Sequence, residues 1–226
     1  MSRVVGRGED PNRGSFLVFD ETVFYPQGGG QPSDTGLITI HNKTYTVNFV
    51  SFFDGLVKHY IQENISAIEK GSLVLSKIDP ERRILNAKAH TAGHLLGSIV
   101  ESLAPELIAF KGFHFQEGPY VEFEGQLKSM SSADLIERAN LLINQAIASN
   151  VNVICSVISS QEPSKFCIES PLQIPSGKTE RVVTMDGFEP VPCGGTHLKN
   201  ISELGSVNIR KIQGRNGNTK VSYKVQ

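Results

Sequence analysis

Two pairs of metal-seeking side chains, His90-Thr-Ala-Gly-His94 and Cys193-Gly-Gly-Thr-His197, stand far apart in the chain. Joining them takes a whole folded domain, which few chain designs require. On a helix, positions four apart lie about 40° from one another around the axis, so His90 and His94 share a face. The apolar residues of the same segment, Leu85, Ala92, Leu95, Leu96, Ile99 and Leu103, centre on the other side. The histidines are therefore expected to point away from the helix's packing face, over Gly93 and Gly97, which leave space. Pro190, Pro192 and the two glycines argue against a helix for the second pair, so Cys193 and His197 are expected on a tight loop. Three imidazoles and a thiolate form the borderline-soft donor set suited to zinc, one ion per chain, held by His90, His94, Cys193 and His197. A closed four-ligand site would be structural and a catalytic one needs an exchangeable position; the spacing leaves both open. A metalloprotease helix would carry Glu after its first histidine, where this chain has Thr91. A zinc finger would hold two close ligand pairs in a short module.

At 226 residues the chain is long enough for one large or two small domains. Its formal net charge of -1 provides no overall basic field, so any nucleic-acid contact must come from a local patch. The start, MSRVVGRGED, has no apolar export segment, and no run is long enough to span a bilayer, so a cytoplasmic protein without a membrane partner is expected. Three cysteines cannot all pair, and a reducing compartment disfavours pairing; core packing is expected for Cys155 and Cys167.

The first third reads as β structure. Phe16 to Phe19, Val23 to Tyr25, Leu37 to Ile40, Tyr45 to Phe53 and Leu56 to Ile61 are short, β-branched or aromatic, and bounded by turn formers. His41-Asn42-Lys43 and Asp54-Gly55 are expected hairpin turns. Pro26-Gln-Gly-Gly-Gly-Gln-Pro32 is too rich in glycine for a strand and is expected to project as a loop. Near Asp79-Pro80 the pattern turns helical. Helices are expected over Ile84 to Leu103 and Ala133 to Ala148, the second capped by Ser131-x-x-Asp134. Its apolar residues, Leu135, Ala139, Leu142, Ile143, Ala146 and Ile147, repeat at helical spacing. Strands are expected at Tyr120 to Phe123, Val151 to Ile158 and Arg181 to Met185, with a closing hairpin from Val207 to Ile212 and Thr219 to Val225. Strands and helices mix without a βαβ rhythm, so the class is α+β, with a β-rich domain over 1–80 and a zinc-binding domain over 81–226.

His90-Thr-Ala-Gly-His94-Leu-Leu together with Cys193-Gly-Gly-Thr-His197 resembles the editing domain of alanyl-tRNA synthetase and its free-standing relatives, the AlaX proteins. Phe24-Tyr-Pro-Gln-Gly-Gly-Gly-Gln-Pro32-x-Asp34-x-Gly36 resembles the glycine-rich motif of their β domain. Lys111-Gly-Phe-His-Phe115 with Gly118-Pro-Tyr-Val-Glu-Phe123 resembles the segment lining the editing pocket. The resemblance implies a small β-barrel-like N-terminal domain and a two-layer α/β editing domain with a mixed or antiparallel sheet. Possession of the Gly-Gly-Gln domain without a long C-terminal extension resembles the medium class. One departure is Gly93, where the synthetase editing domains commonly carry a larger hydroxyl residue.

The resemblance further implies a deacylase acting on alanine tRNA mischarged with serine, and with glycine as a second substrate. A small alanine pocket excludes neither amino acid well, so a second hydrolytic site is the remedy. The zinc ligands would then serve catalysis, and the backbone N–H groups of Gly194 and Gly195 are candidates to stabilise the oxyanion. Thr91, Thr196, Lys111, Gly112 and Gln31 are candidate substrate contacts. Arg210, Lys211 and Arg215 of the C-terminal hairpin, with Lys220 and Lys224 beside them, are candidate phosphate contacts; Arg82, Arg83 and Lys88 could add to them. A monomer is expected. Competing readings are an editor of another mischarged tRNA, a tRNA-binding module with a structural zinc, and a zinc-binding accessory subunit without RNA.

Overall fold

The computed structural model describes residues 1–159 and 179–226; Cys167 lies outside the described residues. The chain forms two compact units, Met1–Asn86 and Ala87–Gln226.

The first unit is six antiparallel strands: β1 (Ser2–Asp10), β2 (Gly14–Phe19), β3 (Gly36–Ile40), β4 (Lys43–Phe53), β5 (Leu56–Ile61) and β6 (Leu73–Ile78). Their spatial order is β1-β2-β5-β4-β3-β6, and β1 also pairs with β6 through Ser2 opposite Val74 and Arg3 opposite Leu73. Alternate residues face inward, burying Leu17, Ile38, Ile40, Val47 and Val50 together with Phe24. Both expected hairpin turns form. His41 and Asn42, then Asp54 and Gly55, take the positive φ angles that let a two-residue turn follow the strand twist.

Val23 to Tyr25, expected as a strand, is irregular instead. Its N–H groups are taken by side chains: Phe24 N–H donates to Thr22 Oγ1 (3.1 Å) and Tyr25 N–H to Asp34 Oδ2 (2.6 Å). β1 and β6 were not expected. β1 alternates glycine with charged residues rather than apolar with polar, and both lie at a seam where one side faces water.

Among the described residues, the second unit carries two α-helices, α1 (Pro80–Leu103, which starts in the first unit) and α2 (Ser132–Ala148), and two antiparallel sheets. One sheet orders β11 (Val191–Pro192), β10 (Thr179–Met185) and β9 (Val153–Ser159). The other orders β12 (Val207–Arg215), β13 (Asn218–Val225), β8 (Tyr120–Glu124) and β7 (Ile108–Phe113). α1 begins four residues before its expected start, because Pro80 fits a first helical position and Asp79 Oδ1 accepts from Glu81 N–H (3.0 Å) and Arg82 N–H (3.1 Å). α2 is capped as expected by Ser131, whose hydroxyl accepts from Asp134 N–H (3.1 Å). Leu135, Ala139, Ile143 and Ile147 of α2 are buried, while Leu142 sits at the exposed rim. Asn140 Oδ1 accepts from Ile209 N–H (2.7 Å), tying α2 to the bulge in β12. Leu95, Leu96, Ile99 and Val100 of α1 share a core with Phe123, Val207 and Val221. Among the described residues, no helix is long and apolar enough to cross a membrane.

Two expectations about packing are corrected. Leu85, expected on the apolar face of α1, is half exposed, while His90, expected to point away from that face over small residues, is 1% exposed. The histidine side of α1 is itself covered, by the second ligand loop and by His114. Cys155, expected in the core, is exposed and accepts from Arg181 Nη2 at 3.1 Å.

Candidate metal centre

α1 delivers His90 and His94 one turn apart, and the loop after β11 delivers Cys193 and His197. One ligand atom from each of the four lies within 4.8 Å of every other. Sγ of Cys193 is 3.4 Å from Nε2 of His90 and 3.3 Å from Nε2 of His197. The loop is fixed from both sides: Cys193 N–H donates to Arg181 O (3.0 Å), the Arg181 guanidinium donates to Cys193 O, and Gly195 N–H donates to the Cys193 sulfur at 3.3 Å.

Burial holds the imidazoles neutral, as metal ligation requires. His94 is pushed down to about 4, by burial first and by the Arg181 guanidinium second. Burial sets His90 and His197 far below the usual histidine range, with repulsion between neighbouring imidazoles adding to it. The Cys193 thiol is raised by burial, against the Gly195 N–H bond and the Arg181 charge. Buried Nδ1 of His94 has no hydrogen-bond partner. Three neutral imidazoles and a thiol gathered around one point, with one buried ring nitrogen unsatisfied, fit a zinc-like ion, and no acidic side chain stands among the four.

The other expected site residues fall into two groups. Thr91 is fully buried and faces the ligand loop: its hydroxyl lies 3.2 Å from His197 Nδ1 and accepts from Leu198 N–H at 3.1 Å. Nε2 of His197 faces the thiol, and Nδ1 is the ring nitrogen paired with Thr91. Thr91 thus holds the His197 ring, a role its position beside His90 did not reveal. Gly194 has open space where a side chain would project, whereas the Gly195 N–H is already directed at the thiol. Thr196 lies half-buried in the same loop.

The second group makes contacts of its own. Gln31 belongs to the first unit and is fully buried, its backbone paired with Gly28, so its side chain offers no exposed surface for a substrate. Arg83 forms an ion pair with the buried Asp34 and donates to Val23 O (2.7 Å), and Arg82 Nε donates to Ser33 O (2.9 Å). Both arginines hold the glycine-rich segment rather than standing free for phosphate. Lys111 lies 3.8 Å from Glu122, and Gly112 abuts the His114 ring. Arg210, Lys211 and Arg215 are exposed on the β12–β13 hairpin, and Lys220 Nζ sits 3.4 Å above the Tyr120 ring.

His114 was legible only as part of a motif. It is 3% exposed and stacked on His90, and the signal for it was a pair of glycines, Gly93 and Gly112, that have meaning only once α1 and β7 are adjacent.

The family described as "Threonyl and Alanyl tRNA synthetase second additional domain" matches residues 181–220, the segment that supplies Cys193 and His197. That described as "tRNA synthetases class II (A)" matches residues 8–82, most of the first unit. Fold, donor set and these two matches define the class as an aminoacyl-tRNA editing hydrolase. Among curated relatives, the alanyl-tRNA editing protein AlaX-M of Methanosarcina barkeri is 30% identical over 92% of this chain and 87% of its own length. The alanine–tRNA ligase of Methanobrevibacter smithii is 30% identical over 87% of this chain but only 22% of its own length. The AlaX-L protein of Pyrococcus horikoshii is 28% identical over 89% of this chain and 49% of its own. The chain belongs to the AlaX family of alanyl-tRNA editing proteins.

Proposed function

We propose that this deacylase acts in trans on alanine tRNA mischarged with serine, and with glycine as a second substrate, through a site that holds one zinc ion. The observation that carries the reading is the convergence of His90, His94, Cys193 and His197 within 4.8 Å. Six strands that follow one another around the first unit, and helices packed on antiparallel sheets in the second, support a small barrel-like domain joined to a two-layer editing domain.

The reaction is ester hydrolysis. The oxygen of a water forms a bond to the ester carbon, the bond to the terminal ribose oxygen breaks, and that oxygen leaves with a proton to give free amino acid and intact tRNA. When bound, zinc supplies Lewis acidity that polarises the ester carbonyl or the attacking water. The chain's own residues orient the donors and the substrate. Thr91 holds the His197 ring in place. Gly194, with open space where a Cβ would stand, lets a substrate approach its N–H closely enough for that group to meet the developing oxyanion, and Gly195 N–H stabilises the thiolate instead. Arg210, Lys211 and Arg215 serve RNA phosphates, so the apparent affinity for tRNA falls steeply as salt rises.

The testing experiment is deacylation of Ser-, Gly- and Ala-tRNA(Ala) by the zinc-loaded protein, beside His94→Ala. Expected is rapid loss of serine, slower loss of glycine, a spared alanyl ester, and a fall of more than about 100-fold in the variant. If all three esters survive while the protein holds stoichiometric zinc, the catalytic reading falls and a tRNA-binding module with a structural zinc takes its place.

A further inference from the structure

Behind the four donors lies a side chain with no part in the reading above. His114, the residue after β7, stacks face to face on His90, ring centroids 4.4 Å apart and planes 21° from parallel. Its Nδ1 is 2.8 Å from the Tyr223 hydroxyl, and that hydroxyl donates to Ala89 O at 2.7 Å. A phenol has one proton. Because Tyr223 spends it on Ala89, the oxygen must accept from His114, which therefore carries its hydrogen on Nδ1. Ala89 is the residue before His90. One chain of contacts thus holds the backbone of α1 through Ala89 and returns to the His90 ring through the face of His114.

The slot for this ring is cut by missing side chains. A Cβ at Gly93 would overlap Cε1 and Nδ1 of His114 and stand 2.9 Å from the Tyr223 oxygen; one at Gly112 would overlap Nε2 and Cε1 of the same ring. Glycine inside a helix costs about 1 kcal/mol relative to alanine, so Gly93 offers α1 nothing by itself. What it allows is the close approach of His114 and Tyr223 to the helix, one turn along from His90.

We infer that His114, locked by Tyr223 in a slot opened by Gly93 and Gly112, is a positioning residue that fixes the ring of the ligand His90. It rests on the metal-site reading above. A ring clamped on one face loses little freedom when its nitrogen meets an ion, which is how residues behind metal ligands raise affinity. Its partners are apportioned: the aromatic face does the clamping, and the bond to Tyr223 keeps that face in register.

The test measures zinc affinity of the full chain by competition with a chromophoric chelator, and the visible spectrum of the cobalt-loaded protein, which reports ligand geometry. His114→Gln removes the ring but can still bond to Tyr223; His114→Phe keeps the ring and loses the bond; Tyr223→Phe loses the bond and keeps both rings. Expected is a loss of about 10- to 100-fold in zinc affinity for His114→Gln with an altered cobalt spectrum. His114→Phe and Tyr223→Phe, which keep the stacked ring and lose the bond, should both fall between the parent and His114→Gln. The inference is overturned if His114→Gln binds zinc as tightly as the parent with an unchanged spectrum, or if His114→Phe is as weak as His114→Gln. Failure of the parent chain to bind zinc would instead sink the metal-site reading.

Discussion

The Thr91 hydroxyl lies between Leu198 N–H and His197 Nδ1, at 3.1 and 3.2 Å, where it has no exposed surface. Replacement by valine keeps the shape and strands two buried polar groups, each costing about 1–3 kcal/mol. Thr91→Val should therefore melt several degrees lower and bind zinc about tenfold more weakly, while Thr91→Ser stays close to the parent; calorimetry and chelator competition read both. Gly93→Ser should likewise weaken metal binding, because its side chain enters the space of His114. The four donors were legible from residue type and spacing alone, since few other arrangements suit three imidazoles and a thiol. Thr91 and His114 were not, because their roles depend on which element packs against α1. A hydroxyl next to a histidine reads equally well as a substrate contact until the Leu198 N–H is seen to claim it.

Local signals wrote some elements in full. Asn216-Gly217, both at positive φ, closes the β12–β13 hairpin, and Ser131 caps α2. Loss of that cap in Ser131→Ala should cost about 1 kcal/mol in a denaturant titration. β1, β6 and β7 escaped the sequence because their residues do not alternate cleanly, and pairing partners far along the chain define them. His59 on β5 has a sharper consequence. It is fully buried, Nδ1–H donating to Leu17 O (3.1 Å) and Nε2 accepting from the Thr22 hydroxyl (2.8 Å). Burial pushes its pKa from 6.5 down to about 4, so the fold favours the neutral ring. The unfolded chain takes up the proton first as pH falls. The stabilisation is thus complete above pH 6.5 and is lost between 6.5 and about 4, a change of about 3 kcal/mol. Unfolding of the first unit, followed across that window, should show the slope, and His59→Gln should lack it.

At the scale of the molecule, the α+β class was evident from the irregular mixture of elements, and the two sheets of the second unit proved wholly antiparallel. The donors come from two segments with, among the described residues, β7, β8, α2, β9, β10 and β11 between them. An ion held by the four, as proposed, would close this long loop and stabilise the fold much as a cross-link does. Chelation should therefore lower the melting temperature of the second unit and make it prone to proteolysis, while the first unit, with no ligand in the set, melts unchanged. Gly93, Gly112 and His114 come from a helix and a strand yet share a single slot, so natural selection cannot vary them one at a time. A side chain gained at 93 or 112 is viable only where 114 has already shrunk. Across descendants of this gene the three positions should change together, and a lineage that has exchanged all three will have rebuilt the wall behind its metal ligand.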